Sequence, residues 1–74
     1  MHALEYTVIL HWDEEYGGYW VEVPALPGCV SQGKIKEEAL ANIKEAIELH
    51  IECLEEDGEE IPKEESCRVT VTAR

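Results

Sequence analysis

The stretch Gly28-Cys29-Val30-Ser31-Gln32-Gly33-Lys34-Ile35 holds the residue types of a phosphate-binding loop, with two glycines five apart and a lysine after the second. In such a loop backbone amides cradle phosphates, the lysine reaches the terminal ones and a final Ser or Thr holds magnesium. Ile35 has no hydroxyl, and 74 residues leave no room for the parallel sheet that frames such loops. The match is a coincidence of turn glycines. His50 and Cys53 stand three apart at helical spacing and could share a metal. Structural zinc takes four ligands, commonly in paired motifs, and His2, His11, Cys29 and Cys67 are scattered singly. A half-buried histidine beside a packed thiol is the better account. Ser31 and Ser66 lie in no nucleophile motif, and Cys29 has no base nearby in sequence. Glu37-Glu38 and Glu55-Glu56 are adjacent pairs whose side chains diverge around a helix, which rules against an acid–base couple. No active site, metal site or cofactor site emerges, so the chain reads as a non-catalytic protein.

The elements that would position any site are legible from periodicity. Residues 4–12 alternate, with Leu4, Tyr6, Val8, Leu10 and Trp12 on one face and Ile9 and His11 on the other, as a half-buried strand does. Residues 13–18, ending in Gly17-Gly18, read as a hairpin turn. Residues 19–23 return as a second strand with Tyr19, Val21 and Val23 inward and Trp20 outward beside Glu22. Pro24 ends it. Leu26-Pro27-Gly28 makes another turn, residues 29–32 a brief third strand. From Lys36 to about Asp57 the period becomes helical, with Leu40, Ile43, Ile47, Ile51 and Leu54 three or four apart, and Gly58 fits the helix-ending position. Residues 67–72 alternate again as a last strand. The expected fold is α+β over residues 1–74 as a single domain: an antiparallel sheet in the order β-β-β-α-β with one long helix packed on one face.

A single helix covers only one face of such a sheet. Ile9, His11 and Trp20 then point to the uncovered side, while Leu49 and Cys53 form a second helix stripe off the main apolar seam. A large aromatic on an uncovered face favours a contact surface.

Composition sets the partner's sign. The chain is 45% hydrophobic and 31% charged, which is globular, and its 17 acidic against 6 basic residues give a net charge of −11. That charge repels phosphate backbones and speeds encounter with a basic protein. Residues 37–65 alone hold 12 carboxylates against Lys44 and Lys63. No apolar run approaches the roughly 18–20 residues of a membrane span, and the start, Met1-His2-Ala3-Leu4-Glu5-Tyr6, lacks the basic and apolar parts of a secretion signal. The three cysteines, 29, 53 and 67, are odd in number and widely spaced, reading as reduced structural thiols. A cytoplasmic location is expected, and self-association as a dimer or more would add buried surface to so small a core.

Several segments together resemble the HicB-like antitoxin family. Leu26-Pro27-Gly28-Cys29-Val30-Ser31-Gln32-Gly33, followed by Glu37-Glu38-Ala39-Leu40-Ala41-Asn42-Ile43-Lys44-Glu45-Ala46-Ile47, is similar to its core signature. Gly18-Tyr19-Trp20-Val21-Glu22-Val23-Pro24 resembles its second strand, and Gly58 with Ile61-Pro62 its post-helix turn. The likeness spans nearly the whole chain. It implies a partial RNase H-like domain and a partner, a small basic HicA-type toxin that cleaves mRNA and whose catalytic histidine the antitoxin occludes. An RNase H-type enzyme needs clustered strand carboxylates, and only Glu5 and Glu22 stand on the expected strands. Ile35 replaces the helix-capping threonine usual in the family, which costs around 1 kcal/mol. Many relatives continue into a DNA-binding domain. This sequence ends at Arg74, so no direct DNA binding is expected. The residues expected to touch a partner are His11, Trp20 and the helix acids Glu45, Glu48, Glu52, Glu55 and Glu56. The rival is a HicB-like protein-interaction or oligomerisation module that has no toxin.

Overall fold

A computed structural model describes residues 4–73; the secretion-signal reading of the first residues and His2 lie outside that range. The chain forms β1 (Ile9–Asp13), β2 (Gly18–Glu22), β3 (Val30–Gly33) and α1 (Lys36–Glu56). The strands make one antiparallel sheet in the order β1-β2-β3, with α1 packed mainly over β3 and partly over β2. This is the expected α+β arrangement of a helix on one face of a small sheet.

The core sits where strand and helix periods meet. Val21, Val23, Leu26, Cys29, Ala39 and Ile43 are buried, with Tyr6, Val8, Leu10, Tyr19, Ala46, Ile47 and Ile51 packed partly against them. Gly33 lets the helix approach. A Cβ built there would lie 2.4 Å from the Ala39 backbone nitrogen and 2.8 Å from its Cα, so only glycine fits. Between β2 and β3 the chain folds through Leu26, which is fully buried and bonds back to Val23 (Leu26 N to Val23 O, 2.9 Å). Gly28 supplies the positive φ of 84° that this turn requires.

The helix ends follow capping chemistry. Ile35, as N-cap, is extended and offers no side-chain bond, while Glu38 reaches back to accept from the Lys34 backbone N–H at 2.9 Å. At the other end Glu59 N donates to Leu54 O (2.9 Å) and Gly58 N to Glu55 O (3.1 Å), with Gly58 at φ 68°. That pattern is a Schellman motif. The first turn carries Glu37 and Glu38, which suit the positive helix end; the last turn has no basic residue.

The structure corrects several expectations. Regular strand begins at Ile9 rather than residue 4, because β2 ends at Glu22, Ile9's partner, and Pro24 cannot extend the ladder. Residues 67–72 form no strand: a strand exists only when paired, and no described segment pairs with them. Val69 and Val71 stand 82% and 79% exposed. Leu40, expected in the core, is exposed because it lines an open groove between the helix and residues 4–8 that nothing described fills. Cys53 and Cys67 are exposed as well, leaving Cys29 as the one buried thiol among the described cysteines.

Candidate functional site

The uncovered sheet face is built by register. In the β1–β2 turn Asp13 accepts twice, through Oδ1 from Tyr16 N (3.1 Å) and through its carbonyl from Gly17 N (2.8 Å). Lys34 crosses over from the end of β3, donating to the Tyr16 carbonyl and lying 3.8 Å from the centre of the Tyr16 ring. The lysine of the phosphate-loop look-alike therefore braces a hairpin. With the turn closed, Asp13 pairs with Gly18 and each pair up the ladder is fixed: His11 opposite Trp20, Ile9 opposite Glu22. On the other side of β2, Trp20 faces Gln32 and Glu22 faces Val30. Since paired residues share a face, two rows of three side chains point away from the helix, His11–Trp20–Gln32 and Ile9–Glu22–Val30.

Within these rows the aromatic pair is ordered. The imidazole of His11 stacks on the indole of Trp20, centroids 4.0 Å apart and planes 14° from parallel. His11 Nε2–H donates to Glu22 Oε2 at 2.6 Å; a carboxylate only accepts, so this bond places a proton on Nε2. The diagonal Glu22 thereby locks the ring that covers the indole. Ile9 (41% exposed) and Val30 (56%) flank the group. Trp20 is itself exposed, so the face offers an aromatic and aliphatic centre with one polar corner.

The expected contact residues divide between two layers. His11 and Trp20 are together on the outer sheet face. Glu45, Glu48, Glu52, Glu55 and Glu56 are all exposed on α1, on the opposite side of the sheet. At about 100° per residue they fall within roughly a 100° arc, a single acidic stripe beside exposed Leu49. The sheet separates the stripe from the stack, so one flat contact does not include both. Sequence reasoning missed Gln32, Val30 and the Glu22–His11 bond. Alternation in residues 30–32 was a usable signal for the first two, but assigning them to these rows needs the register.

Other candidate groups do not converge. Burial pushes the Cys29 thiol up, away from its reactive thiolate form. His50 is half-buried while Cys53 is exposed, and among the described residues no three His, Cys, Asp or Glu side chains gather in a metal-ligating group. No described helix is long and apolar enough to cross a membrane.

One further cluster ties the chain's last segment to the start of the sheet. Thr7 donates from its backbone N (2.5 Å) and its hydroxyl (2.6 Å) to the two carboxylate oxygens of Glu64, and the Tyr6 hydroxyl donates to the Pro62 carbonyl at 2.7 Å. These bonds hold the Glu64 carboxyl below its ordinary value, while burial and then the Glu64 charge raise Tyr6.

Against known proteins, residues 6–73 match the family model described as a HicB_like antitoxin of bacterial toxin-antitoxin system. Over 70 residues the chain is 54% identical to a UPF0150 protein of Thermoplasma acidophilum, covering 95% of this chain and 100% of that one. It is 52% identical over 60 residues to a UPF0150 protein of Synechocystis sp., 81% of this chain and 75% of the relative. It is also 41% identical over 59 residues to Antitoxin HicB 1 of Photorhabdus laumondii, which is 80% of this chain but 37% of that longer protein.

Proposed function

The chain belongs to the HicB-like antitoxin family of bacterial toxin–antitoxin systems, and from that premise we propose that it binds and neutralises a small basic HicA-type mRNA-cleaving toxin in the cytoplasm, without catalysis of its own. The observation that carries this reading is the outer sheet face. A stacked His11–Trp20 pair, held by Glu22 and flanked by Ile9 and Val30, is a rigid, partly desolvated anchor of the kind that dominates protein contacts. A blocking protein needs a surface that arrives already shaped, and this one needs no rearrangement to present its indole.

The charge supports the same reading by a different route. At −11 the protein draws a basic partner in, and the helix stripe from Glu45 to Glu56 concentrates that field on one side. The two layers then have separate tasks: Trp20 and His11 make the close contact, and the acids raise the encounter rate from a distance. The same charge opposes direct binding to DNA.

The relatives support a second reading. The Thermoplasma relative matches over its whole length, while the HicB antitoxin extends far beyond the match. A HicB-like domain serving as an interaction or oligomerisation module with no toxin fits that relation.

Co-expression with the product of the adjacent open reading frame decides between them. The antitoxin reading expects a co-purifying complex and rescue from growth arrest. Failure of both leaves the module. Cleavage of RNA by the purified chain with magnesium would remove the non-catalytic reading altogether.

A further inference from the structure

The indole of Trp20 has one face covered and one facing away from its cover. His11 stacks on it from the β1 side, ring centres 4.0 Å apart and planes 14° from parallel. Strands in a sheet lie about 4.8 Å apart, so a stack this close between directly opposed residues sets the ring normals across the strands. The second face of the indole therefore looks toward β3. The residue opposite it there is Gln32, polar and exposed, and Trp20 retains 38% of its surface.

The charge beside that face is negative. Glu22 follows Trp20 on the same side of β2, two residues and roughly 7 Å along the strand. Its Oε2 accepts from His11 at 2.6 Å, while its Oε1 makes no hydrogen bond among the described residues. The lysines nearby are engaged with other rings. Lys34 Nζ lies 3.8 Å from the centre of the Tyr16 ring, and Lys36 Nζ 5.9 Å from that of Tyr19. Among the described residues Trp20 thus has an acid next to it and no cation over it.

We infer that the second face of Trp20 receives the guanidinium of an arginine on the partner protein, stacked on the indole and hydrogen-bonded to Glu22 Oε1. This rests on the outer sheet face being the contact surface proposed above, and it names the side chain that surface selects. A guanidinium is planar and weakly hydrated, so it lies flat on a ring and sheds water readily, whereas a lysine ammonium is a compact, strongly hydrated point charge. Its fork of donors lets it stack and still reach a carboxylate to one side. The net charge of −11 draws a cation to the protein and turns an anionic side chain away. One carboxylate then has two tasks: Oε2 fixes the imidazole behind the indole, and Oε1 takes the arriving arginine.

Matched amidated peptides of six arginines and six lysines, titrated into the isotope-labelled full chain and followed by NMR, test it. Trp12 is 56% exposed and pairs with Tyr19 on the helix side, so its indole N–H is an internal control for that of Trp20. The arginine peptide is expected to move the Trp20 resonance and to bind roughly fivefold tighter than the lysine peptide. Trp20→Leu should abolish that preference and Glu22→Gln should weaken it, both with unchanged helical circular dichroism, since neither residue belongs to the buried core. Equal affinities for the two peptides, an unmoved Trp20 resonance, or an undiminished preference in either variant would each overturn the proposal. Because the peptides report without a toxin, a selective site beside a failed co-expression removes the antitoxin reading alone, and an unselective site beside a co-purified complex removes the arginine alone.

Discussion

His11 and Trp20 stand directly opposite each other on β1 and β2, rings 4.0 Å apart and nearly parallel, on the side of the sheet that the helix does not cover. An aromatic pair in a core is accounted for by packing. Here both rings face outward, and the bond from His11 to Glu22 spends a charged group on holding them there.

Trp20→Ala is expected to leave the fold nearly unchanged and to cripple partner binding. The indole lies outside the buried core, so the melting temperature shifts little, while loss of a central aromatic anchor costs about 2 kcal/mol or more, roughly 30-fold in Kd. Calorimetric titration of the co-expressed toxin measures it. Wild-type affinity in the variant would remove the outer face from the contact.

Gly33→Ala should behave in the opposite way. The new methyl meets the Ala39 backbone inside 3 Å, and backbone cannot swing aside as a side chain can. Overpacking of this kind costs roughly 1–3 kcal/mol, read as a lower urea midpoint at unchanged slope. An unchanged midpoint would mean that the helix rides more loosely on β3 than the structure places it.

Ile35→Thr is expected to stabilise. The N-cap backbone is already extended, at φ −125° and ψ 162°, and makes no side-chain cap bond. A hydroxyl there accepts from an orphan N–H of the first turn, worth about 1 kcal/mol. Denaturation that comes no later than in the wild type would show that the Glu38 contact has already taken the available gain.

Acid should release the tie between the chain's last segment and residue 7. Glu64's native carboxyl is held below its unfolded value by the two Thr7 bonds and by Ser66, so its contribution is fully present above the ordinary carboxylate range. It is lost as pH falls through the lower native value. The Thr7 amide resonance, followed by NMR against pH, should report a transition below that of exposed glutamates, absent in Glu64→Gln. A Thr7 transition at the ordinary carboxylate pH would contradict the geometry.

How much of this was legible beforehand differs by element. The helix was readable nearly to the residue, since Ile43, Ile47 and Ile51 repeat on one stripe and Gly58 stops it. Trp20 and His11 were assigned to the uncovered face by parity alone, which the pleat guarantees. Register was not readable: whether Glu22 sits opposite Ile9 depends on how the Asp13–Gly18 turn closes, and Lys34, remote in sequence, helps close it. The last strand misled for a related reason. Alternation in residues 67–72 reports which faces a strand would have, never whether an edge is present to receive it. That His11 and Trp20 lie on one side of the sheet and the helix acids on the other was not readable either, because charge counts carry no direction.

The helix terminus has a consequence for how the molecule responds to its solvent. Glu55, Glu56 and Asp57 crowd the end where the backbone dipole is already negative, with no lysine or arginine in that turn. Added salt, which loosens proteins held by surface ion pairs, acts here in the reverse sense: by screening like charges it tightens the last turns. Ionic strength is thus a dial on the helix's C-terminal turns, and a cationic neighbour settling there turns the same dial locally.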